Sequence, residues 1–273
     1  MKSAIMNTIA ATAVAAATFT AAFTASPGDA AAADKLKVQY DLYTRGIRAF
    51  ALNYSADIDQ NGFSAKAKLR PKGLASLFID LEMDMTSSGA ITGKGARSDN
   101  FTMKVTEKGK KGRYAVSFDG LQPVSTKRKP AVNGKTEAKI KSASAAGARD
   151  TLASMMDIAV RPGNNPCDAS YRVYNGKEVF ELALQKIKDD TFGKKDGGVY
   201  RGPAIVCSMT YSTLAGLSAK TEAKYRKKPP VFRVWFAPVR SSTLGRDMNV
   251  LVAVTGKIKG KDFVAYANKA TLS

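Results

Sequence analysis

The amino-acid sequence predicts a mainly β protein in which one long, curved antiparallel sheet, a half-barrel or spiral, wraps around one α-helix. Apolar residues alternate with polar ones through most of twelve short segments, which is typical of strands with one buried face. Turn residues separate these segments, and one further segment has helical spacing. Because so many strands must cover a single core, we expect the sheet to curve.

The first six predicted strands lie before residue 120. In the first of them Leu36, Val38 and Tyr40 alternate with the polar residues Lys37 and Gln39. The six strands cover residues 36–42, 50–54, 63–69, 81–85, 101–105 and 114–118. Since short turns join the first three, we expect an antiparallel meander.

The middle of the chain breaks this alternation. Residues 121–148 are rich in Lys, Ala, Ser, Pro and Gly, which predicts a long, mobile crossing at the surface. Asp150 then precedes a run with apolar residues at helical spacing, and Pro162 ends it. This run is the one predicted helix, and its Met-containing apolar stripe indicates a core-facing side rather than a cofactor pocket.

Six more predicted strands follow the helix. They cover residues 171–174, 180–184, 205–211, 231–236, 248–254 and 263–267. Asn175-Gly176 is a hairpin signal between the first two. Residues 231–236 are apolar on both faces apart from Arg233, which predicts a central strand with the helix on one side and sheet or loop on the other.

The N-terminus has the three parts of a secretory signal peptide. Lys2 is followed by an apolar run from Ala4 to Phe23, and small residues end at Ala33. We therefore expect a signal peptide over residues 1–33 and a single β-rich exported domain over residues 34–273, located in the periplasm. No Cys lies near the cleavage site to carry a lipid, and no transmembrane segment is expected after cleavage.

The chain has two cysteines, Cys167 and Cys207. In an oxidising compartment an even number of cysteines favours a disulfide, and two buried free thiols are the alternative. Neither residue belongs to a C-x-x-C motif, so the pair is expected to staple the fold rather than to carry out redox chemistry.

The formal charge of +20 indicates an anionic partner. Because export removes nucleic acid as a partner, lipid, lipopolysaccharide or peptidoglycan remains; a basic surface without a specific partner is the alternative. The residues predicted to contact the anionic ligand are Lys108, Lys110, Lys111, Lys127, Arg128, Lys129, Arg226, Lys227 and Lys228. These cations form a patch only if their loops converge at one end of the sheet.

The sequence contains no His, which removes His-dependent catalysis and the common zinc sites. We expect no catalytic residues, no metal and no cofactor. Asp80, Glu82 and Asp84 on one strand face are the only carboxylates spaced for acid–base work, and the solvent face of an alternating strand is the favoured explanation for them. Asp189, Asp190 and Asp196 lie in a Gly-rich region but lack the spacing of a calcium loop.

An ordered series of short motifs resembles domain-of-unknown-function family 3108, in its exported alphaproteobacterial form. The motifs are Tyr40–Tyr43 with Arg45-Gly46, Leu74–Phe78, Asp150–Leu152, Cys167, Tyr174–Gly176, Tyr200–Ala204, Cys207, Leu214–Gly216 and Val234–Pro238. Relatives usually have Asp-Pro at the helix start and Asp-Gly at the hairpin, where this chain has Asp150-Thr151 and Asn175-Gly176. The resemblance implies a β-rich periplasmic protein and supplies no catalytic residues.

Together these features predict a non-enzymatic envelope protein that binds a hydrophobic or amphipathic anionic ligand in a curved sheet. A scaffold that contacts peptidoglycan or another envelope protein is the alternative function. A third hypothesis, a carboxylate-dependent glycan hydrolase, requires Asp80, Glu82 or Asp84 to line a cleft. The oligomeric state is not predicted.

Overall fold

The computed structural model describes residues 33–163, 165–258 and 260–273. They form one open antiparallel sheet of thirteen strands, in the order β7-β6-β5-β4-β3-β2-β1-β13-β12-β11-β10-β9-β8. The strands are β1 (Asp34–Thr44), β2 (Ile47–Ile58), β3 (Gly62–Pro71), β4 (Leu81–Thr92), β5 (Gly95–Glu107), β6 (Lys110–Asp119), β7 (Gln122–Lys129), β8 (Ala169–Tyr174), β9 (Val179–Phe192), β10 (Gly202–Ala215), β11 (Val231–Arg240), β12 (Asp247–Ile258) and β13 (Lys261–Leu272). The predicted fold class is confirmed, and each of the twelve predicted strands lies within an observed one.

Three α-helices accompany the sheet in the described residues, so the prediction of a single helix is wrong. They are α1 (Gly134–Ser144), α2 (Thr151–Val160) and α3 (Ala219–Lys227). In α1 the side chain of Asn133 caps the helix by accepting a hydrogen bond from Thr136 N, and Ile140 is its one buried large apolar residue. Helix α3 buries only Glu222. Neither helix shows a strong apolar period, because each presents little apolar surface to the core.

The prediction of a mobile crossing over residues 121–148 is also wrong. Its first part forms β7, which pairs only with β6 at the edge of the sheet. Its second part forms α1. An edge strand with a solvated face needs few apolar residues. The sequence of β7 is therefore mostly polar and shows no alternation that predicts a strand.

Helix α2 lies against the inner face of the sheet, as predicted. It contacts β3, β4 and β5 from one half and β8 and β12 from the other, so the sheet curves around it. Leu152, Ala153 and Met156 are fully buried there. At the C-terminal end of α2, the Arg246 guanidinium donates a hydrogen bond of 2.7 Å to Val160 O.

The backbone of β5 approaches α2 closely at Gly95, whose φ is +113°. A Cβ there would lie 2.0 Å from the Asp157 carboxylate, so only glycine fits. This approach lets Ala96 N donate a hydrogen bond of 2.6 Å to Asp157. Arg149 lies 3.6 Å from the same carboxylate, so the buried charge of Asp157 has a partner.

The two cysteines form the predicted disulfide. It joins Cys167, just before β8, to Cys207 on β10, and the two Cα atoms are 5.7 Å apart. The bond crosses the intervening strand β9 and lies in an apolar cluster with Ile158 of α2. The second half of the sheet is thereby tied together beside the central helix.

Strand β11 is covered on both faces, as predicted. Val234 and Phe236 pack in the inner cluster with Ile158 of α2. On the outer face Trp235 packs with Phe192 and Tyr200, which belong to the end of β9 and the β9–β10 connection. The predicted signal peptide, residues 1–33, lies outside the described residues except for its last position. Among the described residues, no helix has the length and hydropathy to span a membrane.

Candidate functional site

A cavity of about 220 Å³ lies between α2 and the inner face of the sheet. From α2 it is lined by Thr151, Met155, Ile158 and Ala159. The strands contribute Leu36, Val38, Tyr40, Tyr54, Leu182, Met209, Val234, Phe236, Asn249, Val250, Leu251 and Val254. An apolar cavity of about 150 Å³ is enough to bind benzene, whereas sites for drug-sized ligands start near about 300 Å³. The cavity therefore suits one narrow apolar group, such as a single hydrocarbon chain.

The inner face continues past α2 as an apolar trough. It consists of half-exposed side chains that point to the same face as the buried core: Leu42, Leu52, Leu69, Met83, Val105, Leu182, Met209, Phe232 and Val254. Val105, Met83, Leu69 and Leu52 form one cross-strand row over β5, β4, β3 and β2. Toward the other end of the same strands the inner residues are almost fully buried, as at Ile58 and Ala65.

The trough and the cavity are continuous. Val254, Met209 and Leu182 belong to both of them. Val254 lies opposite Ala265, and Ala265 lies opposite Leu42, so apolar side chains lead from β12 across β13 to β1. A chain-like apolar ligand can therefore lie along the trough with its end in the cavity.

Few polar side chains line the cavity, namely Tyr40, Tyr54, Thr151 and Asn249, and each of them carries a hydrogen-bond donor. The Tyr40 hydroxyl donates to Leu251 O at 2.8 Å. Burial raises the pKa of Tyr54, with a smaller contribution from the charge of Asp150, so its hydroxyl stays protonated. Asn249 is 3% exposed, and its Nδ2 has no hydrogen-bond partner. An unpaired buried amide is costly, and a ligand carbonyl or hydroxyl oxygen at this position would pair with it.

Most of the basic loops lie at the same end of the sheet. Because each strand runs antiparallel to its neighbour, every second connection lies at the same end. That end, which we call the basic rim, carries the β1–β2, β3–β4, β5–β6, β8–β9, β10–β11 and β12–β13 connections. It is also the end toward which the trough opens.

Six of the nine predicted ligand contacts lie on the basic rim. Lys108, Lys110 and Lys111 belong to the β5–β6 hairpin and are exposed. Arg226 and Lys227 end α3, which lies in the β10–β11 connection, and Lys228 follows directly. The topology therefore places two clusters that are more than a hundred residues apart in sequence at the same end of the sheet.

The remaining three predicted contacts lie on β7, and the structure separates them. Arg128 points to the inner face, where its buried guanidinium pairs with Glu137 of α1 and donates to the hydroxyl of Tyr174. We therefore leave Arg128 out of the proposed contacts, because its charge already has a partner. Lys127 and Lys129 are exposed on the outer face, away from the trough.

The outer face of the sheet carries a cluster of like charges that the sequence did not reveal. Lys104 of β5 lies directly opposite Arg113 of β6, which lies directly opposite Lys129 of β7. Lys127 lies in the next cross-strand row, and all four residues line one shallow depression. Like charges placed opposite each other destabilise a sheet, so this outer cationic cluster has a structural cost. Cross-strand register is the signal that would have found it.

The carboxylates considered from the sequence are engaged in structural contacts. Asp84 accepts a hydrogen bond of 2.7 Å from Arg70, and Glu82 lies 3.7 Å from the same guanidinium. Asp80 accepts a hydrogen bond from Gly109 N. None of the three lines the cavity described above. Across the described residues, no group of three or more acidic, Cys or His side chains is arranged to hold a metal ion.

Comparison with solved structures finds distant similarity. A β-barrel-like protein of a domain of unknown function, DUF1849, from Brucella abortus is 10% identical, with a TM-score of 0.47; the match covers 89% of this chain and 98% of that one. A structure described as "a putative lipoprotein" from Parabacteroides distasonis is 9% identical, with a TM-score of 0.33; the match covers 87% and 94%.

Comparison with curated proteins finds no match. The model of one protein family matches residues 39–252, which include β2 to β11 in full and about half of β1 and of β12. This span contains both cysteines, α2 and most of the cavity lining. The chain therefore belongs to the DUF3108 family of proteins of unknown function.

Proposed function

We propose that this protein is a non-enzymatic component of the periplasmic envelope that binds an amphipathic anionic ligand, lipid-like or lipopolysaccharide-like, with one hydrocarbon chain in the apolar trough. The observation that carries the proposal is that the trough residues lie toward the end of the sheet that also carries the basic loops. An apolar chain and an anionic head group would then meet complementary surfaces within one site.

The size and lining of the cavity narrow the ligand class. A cavity of about 220 Å³ takes the end of one chain and excludes a bulky polycyclic ring system. The amide of Asn249 and the hydroxyl of Tyr54 favour an oxygen acceptor on the ligand near the cavity. We therefore propose a ligand in which an ester, amide or hydroxyl oxygen lies along an otherwise apolar chain.

Filling the cavity is expected to abolish ligand binding. In Val254→Trp the indole would occupy the space shared by the trough and the cavity, so the amount of lipid that co-purifies should fall at least tenfold. Lipid extracted from detergent-free periplasmic preparations and quantified by mass spectrometry measures this. The matched control is Val124→Trp on β7, where the native side chain is 63% exposed. Equal lipid content in Val254→Trp, Val124→Trp and the parent protein would remove the trough as the binding site.

A second variant guards against misfolding of the first. Leu52 is half-exposed in the trough, so Leu52→Glu should fold and place a carboxylate against the bound chain. We expect the variant to remain folded, which circular dichroism checks, and the co-purified lipid to fall severalfold. A folded Leu52→Glu protein that retains its full lipid content contradicts the proposed site.

The outer cationic cluster supports the alternative function, a scaffold that contacts peptidoglycan or another anionic envelope component. Lys104, Arg113, Lys127 and Lys129 lie outside the trough and tolerate mutual repulsion. If this cluster binds sacculi, Lys127→Glu/Lys129→Glu should lower the fraction of protein that sediments with isolated sacculi. Salt above about 0.5 M should have the same effect on the parent protein. Sedimentation unchanged by the double variant would remove this function.

A further inference from the structure

The loop between β3 and β4 presents two large apolar side chains to solvent. Leu77, at the end of a 3-10 helix (Gly73–Leu77), is 73% exposed, and Phe78 is 86% exposed. The loop backbone is well bonded: Lys72 N donates to Ala49 O at 2.9 Å, and Ile79 N donates to Ala75 O at 2.8 Å. An ordered backbone therefore holds both side chains outward, so their exposure is a fixed feature of the surface.

This apolar tip lies on the basic rim. Two other exposed apolar residues share the rim, Ile47 at the β1–β2 turn and Val231 at the start of β11. Exposed cations flank the tip in its own loop and in the neighbouring connections: Arg45, Lys72, Lys108, Lys110 and Lys111. The β10–β11 connection, at the same end of the sheet, carries the cations that end α3, Arg226 and Lys227, followed by Lys228.

Apolar side chains surrounded by cations match the interface of an anionic bilayer. Phe and Leu side chains bury in the acyl boundary, while Lys and Arg stay at the level of the phosphates. Each cation near an anionic leaflet contributes additional attraction, and the contributions add over the rim. A neutral bilayer or an apolar protein surface offers only half of this complementarity.

We propose that the basic rim docks on the surface of an anionic lipid bilayer, with Leu77 and Phe78 inserted between the lipids. This orientation places the mouth of the trough against the membrane, so a hydrocarbon chain passes between bilayer and protein without crossing water. The transfer of a hydrocarbon chain rests on the proposed function of the trough, whereas the docking itself requires only the basic rim.

Flotation with lipid vesicles tests the docking. The parent protein should float with vesicles of phosphatidylcholine and phosphatidylglycerol at a 3:1 ratio in about 0.15 M salt, and should not float with pure phosphatidylcholine. Leu77→Ser/Phe78→Ser should weaken the apparent binding constant at least tenfold. The matched control Val124→Ser removes an exposed apolar side chain at the other end of the sheet and should leave binding unchanged.

Charge reversal shows whether vesicle binding depends on the cations of the basic rim or on those of the outer cationic cluster. Lys110→Glu/Lys111→Glu/Lys227→Glu/Lys228→Glu should weaken vesicle binding at least a hundredfold. The outer-face control Lys127→Glu/Lys129→Glu should weaken it less than threefold. If the outer-face variant loses as much binding as the rim variant, attraction is not localised at the rim and the proposal is overturned.

Two measurements keep the docking distinct from lipid binding in the trough. Leu77→Ser/Phe78→Ser should still bind monomeric lysophosphatidylglycerol in solution, whereas Val254→Trp should still float with anionic vesicles. Failure of the parent protein to float, or full flotation of Leu77→Ser/Phe78→Ser, overturns the docking while leaving the trough untouched. Light scattering that shows a dimer dissociated by Leu77→Ser/Phe78→Ser would assign the tip to a second copy and also overturn it.

Discussion

Replacing Asp150 by alanine is expected to lower the free energy of unfolding by about 4 kcal/mol, because the change leaves several buried donors without an acceptor. Asp150 is fully buried and caps α2. One carboxylate oxygen accepts hydrogen bonds from Leu152 N at 2.8 Å and Ala153 N at 2.9 Å, and the other accepts from the Ser87 hydroxyl at 2.8 Å. The cap therefore fixes the helix that bounds the cavity to the strand β4.

The controls are chosen from the same chain. Asn133→Ala removes an equivalent cap from α1, but that cap is exposed, so water replaces it and the loss should be about 1 kcal/mol. Asp150→Asn keeps one acceptor oxygen and should be intermediate. Urea unfolding followed by circular dichroism measures all three. Equal losses for Asp150→Ala and Asn133→Ala would show that burial of the Asp150 cap is not the cause.

The same residue makes stability depend on pH. Burial raises the pKa of Asp150, although the hydrogen bonds from Ala153, Ser98, Ser87 and Leu152 oppose the rise. Because the folded-state pKa then exceeds the unfolded value, the proton stabilises the fold below about pH 4 and this contribution is lost as pH rises through the folded pKa. The asparagine in Asp150→Asn does not titrate, so this variant lacks that dependence of the unfolding free energy on pH. Urea midpoints of both proteins from pH 4 to pH 7 should therefore converge or cross, and parallel curves would contradict the assignment.

Removing the disulfide is expected to have an effect of similar size. The cysteines are 40 residues apart in sequence, and opening a loop of that length costs about 4 kcal/mol in the loop-closure model. Cys167→Ala/Cys207→Ala should therefore lower the free energy of unfolding by about this amount. The double alanine variant is preferred to serine because both positions are almost fully buried, at 2% and 0% exposure.

Reduction of the parent protein provides the control for this variant. Under a reducing agent the parent should unfold at the urea concentration found for Cys167→Ala/Cys207→Ala, while the variant should be unaffected by the same agent. Because the bond ties β8 to β10 across β9, hydrogen exchange in β8 should accelerate most. A variant as stable as the oxidised parent would show that the bond does not staple the second half of the sheet.

Alternation of side chains was enough to predict the strands, because twelve of them have one face in the core. In β1, for example, Leu36, Val38 and Tyr40 are buried while Lys37 and Gln39 are not. Strand β7 was not predicted because it lies at the edge of the sheet and buries no large apolar side chain. Helices α1 and α3 were not predicted for a related reason, because only one or two residues of each are buried in the core.

The candidate site was predictable only in part. Net charge and loop composition indicated the cations, and the antiparallel order of the strands explains why Lys110 and Lys228 lie at the same end. The trough was not predictable, because the distinction between buried Val38 and half-exposed Leu42 depends on where α2 ends against the sheet. The isolation of Asn249 Nδ2 likewise depends on packing between distant strands.

The central claim is that a single hydrocarbon chain lies in the trough with its end beneath α2. Photo-crosslinking tests this most directly, with a single-chain anionic phospholipid that carries a diazirine near the chain terminus and peptide mapping by mass spectrometry. We expect crosslinks to residues that line the cavity, such as Met155, Met209 and Leu251, and we expect Val254→Trp to abolish them. Crosslinks confined to the outer face, or none above the level of a denatured control, would contradict the claim.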